Sequence, residues 1–308
     1  MTEDLVAAAT TGHRTHRYLR LSLALVVFAL LAAVFIESIR IGDVLPSISH
    51  YFYTPARNVF VGALVAVSLA LLALSGRDRA TVLLDIAAVF APLIALVPTS
   101  ALPAGPLIGG LEGPQPSEGV PPAYMPDIYN GIITYAVVVA AIILVTVVIH
   151  SENLWTWGIV LPSAIAVVTA VLLLLLAFLP AWNDGFPFNA WPIPSIHYTA
   201  ALLFFGAFAA VAILNAFWRE TDDGPEPTPG QRLTYAVIGV LMILDMVLLI
   251  VAGMLRPDPE GFPWIFVGEA IALMLFAVFW VVQTVQRWDD PDQPSVAEPL
   301  AASDSPTP

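Results

Sequence analysis

Long apolar runs alternate with short polar breaks along almost the whole chain. A hydrocarbon core about 30 Å thick takes roughly 20 apolar residues at the helical rise, and eight runs come near that length. They cover 19–36, 59–74, 81–97, 128–149, 157–179, 196–218, 233–255 and 262–282. The pattern predicts an all-α, polytopic transmembrane helical bundle of eight spans within 18–288. A short polar tail precedes it at 1–17, and a tail of Pro, Ala, Ser and Asp at 289–308 reads as disordered. The first run follows Arg14, Arg17 and Arg20, as a secretory signal would. It ends in Glu37-Ser38-Ile39-Arg40 without a small-residue cleavage pattern, so it reads as a membrane anchor.

The breaks carry information of their own. Residues 103–127 are rich in Gly and Pro, lack any basic residue, and read as an exposed loop. Residues 182–194, WNDGFPFNAWPIP, read as an aromatic belt at the membrane interface. Arginine sets the expected sidedness. With a cytoplasmic N-terminus, Arg14, Arg17, Arg20, Arg77, Arg79, Arg219, Arg232 and Arg287 lie inside, and only Arg40, Arg57 and Arg256 lie outside. That asymmetry obeys the positive-inside rule and predicts that both termini, tails included, are cytoplasmic.

Composition sharpens this reading. Hydrophobic residues make up 58% of the chain and charged residues 11%, with a mean hydropathy of +0.84, as in a multi-pass protein of the cell membrane. Little chain is left for a soluble domain. The absence of cysteine removes thiol catalysis, disulfides and cysteine-ligated metals. The net charge of −13 falls mainly on loops and tails, making the aqueous faces poor ligands for nucleic acid or anionic lipid headgroups, so membrane lipids are expected as neighbours of the apolar spans and nucleic acid is not a partner.

The stretch SISHYFYTPARNVFVGALVAVSLALLALSGRDR, followed by FAPLIALVPTS, resembles the opening of a family of uncharacterised bacterial integral membrane proteins, usually of six helices. SIHYTAALLFF, QRLTYAVIGVLMI and GEAIALMLFAVFWVVQ resemble later parts of the same family. A more distant likeness links the chain to the Frag/DRAM/Sfk-type membrane proteins. The resemblance implies a six-helix unit made of 18–100 and 195–288, with 101–194 as an inserted hairpin region. It implies no activity, since the family has none established.

Candidate chemistry concentrates at 46–62, PSISHYFYTPARNVFVG, where Ser47, Ser49, His50, Tyr51, Tyr53, Thr54 and Arg57 lie close together. Within the spans, the acidic residues are Glu37, Asp85, Asp245 and Glu269. A charge at a helix centre costs about 2.5–3.5 kcal/mol on insertion scales, so each asks for a partner or a purpose. Asp85 suits the positive end of its helix dipole. The others gather toward the outer half of the bundle. The expectation is an outward-facing polar pocket floored by Asp245 and Glu269. Glu37, His50, Tyr51, Tyr53, Arg57, Ser195 and His197 stand around it. A plainer reading pairs Arg57 with Glu37 or Glu269 in a structural ion pair and makes His50 and its tyrosines headgroup anchors.

No phosphate-binding glycine loop, nucleophile elbow or His-x-x-x-His pair occurs, so no cofactor is evident and the metal question stays open. The residues favour a non-catalytic envelope scaffold, sensor or lipid-binding protein. Two alternatives stand beside it: a proton- or solute-coupled transporter using Asp245, and a metal-dependent lipid hydrolase.

Overall fold

The computed structural model describes residues 2–76, 79–101, 119–149, 156–190, 193–218, 225–255 and 261–288. Within them the chain forms eight helices: α1 (Thr2–Ile41), α2 (Arg57–Ala73), α3 (Arg79–Leu96), α4 (Met125–Ile149), α5 (Trp157–Phe178), α6 (Ile196–Phe217), α7 (Pro229–Leu255) and α8 (Trp264–Gln286). Seven are long and apolar enough to cross a membrane. The shorter one is α2, whose 17 residues reach about 26 Å at the helical rise. The residues just before it, Ile48–Tyr53, form a separate 3-10 turn instead of lengthening it.

Three local features depart from the hydropathy pattern. The first helix begins at Thr2, well before the apolar run, because Val6-Ala7-Ala8-Ala9 is made of residues that tolerate or favour a helix. Within the aromatic belt, Phe188–Ala190 (β1) and Ile193–Ser195 (β2) pair as a small antiparallel hairpin. The tail at 289–308 and most of the loop at 103–127 lie outside the described residues. The end of that loop folds as a 3-10 turn, Pro122–Tyr124, leading into α4.

Helix neighbours close a six-membered ring in the order α1, α2, α3, α6, α7, α8 and back to α1. The α4 and α5 helices pack on each other and on α3, at the edge of this ring. Burial follows that arrangement only in part: α3 is enclosed over much of its length, whereas α4 and α5 leave most of theirs exposed, as α7 of the ring also does. On α1 the buried positions Leu23, Val27, Leu30 and Val34 recur at helical spacing, while Leu25, Phe28 and Phe35 face outward.

The ring is filled, not hollow. Phe208 of α6 meets Phe276 and Phe279 of α8 at centroid distances of 4.6 and 4.8 Å. Trp280 lies 5.3 Å from Phe279, and Tyr235 of α7 closes on the same ring at 5.2 Å. Such offset and edge-on aromatic pairs add to what area burial alone provides. Two glycines let α7 approach its neighbours. A Cβ at Gly239 would stand 2.6 Å from Ile213 on α6, and one at Gly268 would stand 2.6 Å from Leu249.

Candidate functional site

Six helix ends meet at the level of the 3-10 turn: the C-terminal ends of α1, α3 and α7 and the N-terminal ends of α2, α6 and α8. The turn is held by α8. Phe266 donates its backbone N–H to the Pro46 carbonyl at 2.9 Å, and one turn further on Glu269 aims its carboxylate at the turn's donors. The Ser47 hydroxyl donates to both carboxylate oxygens at 2.9 and 2.8 Å, and the Ile48 N–H reaches Oε2 at 2.5 Å. The Ser49 hydroxyl lies 3.0 Å from Oε1. Ser47 also caps the turn, accepting the Ser49 N–H at 3.0 Å. Ser-Ile-Ser places these donors on one side because the first turn of a 3-10 helix leaves its N–H groups unpaired.

His197, in the first turn of α6, extends the network inward and is 2% exposed. Its Nδ1 lies 2.9 Å from the carbonyl of Val97, just past α3, and its Nε2 lies 2.8 Å from Ser49 Oγ. The same exit from α3 is fastened twice more. Tyr53 donates to the Thr99 carbonyl at 2.6 Å, and Thr99 Oγ1 pairs with the Tyr198 hydroxyl at 2.9 Å. Tyr51, fully buried, binds back to Ser38 of α1 and accepts the Leu45 N–H. Burial pushes the Tyr53 phenol above its ordinary range.

Beside His197 sits His50. Desolvation, the nearby His197 and, in the opposite sense, the Ser100 backbone set its pKa, which falls to about 4. Its Nδ1 has no hydrogen-bond partner among the described residues. His50 is therefore neutral at physiological pH.

The residues expected around one pocket divide into two groups. Glu269, His197, His50, Tyr51 and Tyr53 gather at the turn. Glu37, by contrast, is closed off in a bidentate contact with Arg40 at 2.6 and 2.8 Å. Arg57 pairs with neither Glu37 nor Glu269. It reaches Asp127 at the start of α4 at 2.9 Å and stacks on Phe52 and Tyr124, 4.4 and 5.2 Å from their centroids. The ion pair with Glu37 or Glu269 read from the sequence is therefore not formed, because Glu37 is taken by Arg40 and Glu269 by the turn, and the pair Arg57 does make with Asp127 is exposed. Ser195 caps α6, accepting the Tyr198 N–H at 3.4 Å. Asp245 is buried against α8, where its Oδ1 would lie 3.1 Å from a Cβ at Gly268. Its Oδ2 has no hydrogen-bond partner among the described residues.

Ser49 and His197 are placed as an activated serine and its base would be, with the imidazole oriented by a carbonyl. Two features weigh against that chemistry. Ser49 is 5% exposed, and its hydroxyl is shared with the Glu269 carboxylate, which makes it a bridge. Among the described residues, no three His, Asp or Glu side chains converge as a metal-ligand set. Of the network's other members, Ser47 and Ser49 belong to the polar cluster that the sequence marked out at 46–62, whereas no side-chain signal could have pointed to the Val97 carbonyl.

No family model matches the chain, and neither a curated protein nor a solved structure shows significant similarity to it. The helical apolar bundle is compatible with an integral membrane protein, and its seven long apolar helices suit a multi-pass one.

Proposed function

We propose that the protein is a non-catalytic component of the cell envelope, a scaffold, sensor or lipid-binding protein, working through the end of the bundle that carries the Pro46–Tyr53 segment. One observation carries this reading. The Glu269 carboxylate is engaged by Ser47, Ile48 and Ser49 together, so it holds a loop in place and is not free to serve as base or metal ligand. The aromatic packing of Phe208, Phe276, Phe279 and Trp280 supports it, because a solute path through the ring would have to displace these side chains. The six-helix ring with α4 and α5 outside it also supports kinship with the six-helix family that the motifs resemble.

In the membrane we infer eight crossings, α2 being the shortest, with both termini cytoplasmic and the 3-10 turn outside. Single cysteines in this cysteine-free chain test the sidedness with an impermeant thiol reagent. Labelling at Gly224 with none at Ser117 overturns it. For function, the protein purified in detergent is analysed for retained lipid and for metal, and reconstituted in liposomes for proton-coupled uptake. A retained lipid without stoichiometric metal supports the reading. Stoichiometric metal favours the metal-dependent lipid hydrolase, and proton-coupled uptake favours transport through Asp245; either result overturns it.

A further inference from the structure

The contacts around Ser49 permit a count of hydrogens. A carbonyl oxygen has none to give, so the His197 Nδ1 facing Val97 must carry one. Two contacts remain, His197 Nε2 to Ser49 Oγ at 2.8 Å and Ser49 Oγ to Glu269 Oε1 at 3.0 Å. Each needs one hydrogen, and the Ser49 hydroxyl has one. Ser47 cannot lend its own, which is already directed at the carboxylate, and the Ser49 N–H, shared between Ser47 Oγ and that carboxylate, cannot serve either contact of Ser49 Oγ. The second hydrogen must come either from Nε2 of an imidazolium or from the carboxyl of Glu269. In both cases the His197–Glu269 pair holds one dissociable proton and is neutral as a whole, the state that a buried site accommodates most readily.

We propose that His197, Ser49 and Glu269 form a one-proton relay that latches the Pro46–Tyr53 turn to α6, and that loss of this proton loosens the turn from α6 while Ser47 and Ile48 keep it on α8. The proposal deepens the sensor reading by naming the proton as the signal at that same site. When the proton leaves, a bare Nε2 and a carboxylate compete for a single serine hydrogen. The carboxylate is the stronger acceptor and keeps the serine hydrogen, so the Ser49–His197 contact becomes a meeting of lone pairs and the tie to α6 is lost, while Ser47 and Ile48 still hold Glu269. Other titratable groups face the relay from each packed element. His50 lies on the turn and stays neutral, its pKa being lowered to about 4 mainly by burial. Tyr51 and Tyr53 share the turn, and burial raises the Tyr53 phenol. Tyr198 stands on α6 near Glu269, and Asp245 of α7 lies against Gly268. On α1, Glu37 is occupied by Arg40.

Cysteine reporters test the latch in detergent, where both membrane faces are accessible and the outcome does not depend on topology or on any bound lipid. Ile48→Cys reports the turn, since Ile48 is 2% exposed, and Asp43→Cys on the exposed segment before it serves as reference. A buried thiol ionises at higher pH than an exposed one, so the ratio of their maleimide labelling rates at each pH is compared between the parent relay and the amide variants, where the thiols are the same and only the relay differs. A hydrogen bond to a charged group corresponds to about tenfold or more in an equilibrium, so the ratio is expected to rise by about that factor as rising pH removes the relay's proton. Glu269→Gln supplies the second hydrogen permanently from its amide and should flatten the rise. His197→Gln does the same from the other end, and decides the matter if Glu269→Gln fails to fold. A flat ratio in the unsubstituted relay, or a rise that persists unchanged in the amide variants, overturns the proposal.

Discussion

Glu269→Ala measures how far the polar turn holds the helices together. The substitution removes the acceptor for the Ser47 hydroxyl at 2.8 Å, the Ile48 N–H at 2.5 Å and the Ser49 hydroxyl at 3.0 Å. The two hydroxyls can rotate, and Ser49 keeps His197 as a partner. The Ile48 N–H is fixed by the backbone and buried, so it bears the full penalty of an unsatisfied donor, about 1–3 kcal/mol. Lost charge-assisted bonds from the serines add about 1.5–3 kcal/mol each before relief. Against this stands the regained desolvation of the carboxylate, several kcal/mol for a buried ion. The net expectation is a loss of about 2–4 kcal/mol. Reversible unfolding in mixed micelles, followed by circular dichroism against denaturing detergent, reads it. A double-mutant cycle with Ser47→Ala should return a coupling of about 1.5–3 kcal/mol. A Glu269→Ala protein within about 0.5 kcal/mol of the parent, or a coupling near zero, would refute the clasp.

Two further outcomes follow from single features of the structure. Gly239→Ala forces a Cβ to 2.6 Å from Ile213 and 3.3 Å from the Ala209 carbonyl, and should cost about 1–3 kcal/mol by separating α6 from α7. Gly62→Ala meets nothing within 4 Å and should be neutral or stabilise α2 by up to about 1 kcal/mol, so equal effects in the same assay would contradict the packing. His50 binds a proton near pH 6.5 when unfolded but only near 4 when folded, so the unfolded state holds more protons between these values and stability falls as pH falls. The full loss is about 3 kcal/mol, and His50→Gln should flatten melting temperature against pH over that window; an unaltered profile would show that other groups cause it.

Apart from the early start of α1, helix positions were legible in the sequence to within a few residues, as in α6, expected at 196–218 and found at Ile196–Phe217. Runs of membrane length are a signal of composition, and lipid rewards apolar residues on every helix face. For that reason the same runs did not say which faces meet. Nothing in α8 marks Phe276, Phe279 and Trp280 as core and Val278 and Val281 as lipid-facing. The site divided in the same way. The cost of a charge in a span singled out Glu269 and Asp245, and the density of polar groups singled out the 3-10 turn. Their pairing was hidden, because Ser47 and Glu269 stand 222 positions apart and no local pattern links them. Arg57 shows the converse. Its need for an acid was legible, but Asp127 lay in a segment read as an exposed loop.

Asp245 and Glu269 were expected to share one environment, and their surroundings make them opposites. Glu269 is surrounded by donors, whereas Asp245, 7% exposed, places Oδ1 3.1 Å from where a Cβ at Gly268 would stand and leaves Oδ2 without a hydrogen-bond partner among the described residues. A side chain that holds the fold together should be missed when it is neutralised. One that the fold merely tolerates should not. Asp245→Asn keeps the shape and removes the charge, whose burden at the centre of a span is about 2.5–3.5 kcal/mol on insertion scales. It should therefore leave stability unchanged or raise it by up to about 2 kcal/mol, in the assay where Glu269→Ala loses about that much or more. A loss above about 1.5 kcal/mol would mean that the Asp245 carboxylate is a structural partner after all. If Asp245→Asn is stable, the stability of the bundle does not account for the carboxylate. Proton-coupled uptake by that variant in liposomes is then the direct measure of whether Asp245 serves transport, and the sensor reading of the turn stands apart from the answer.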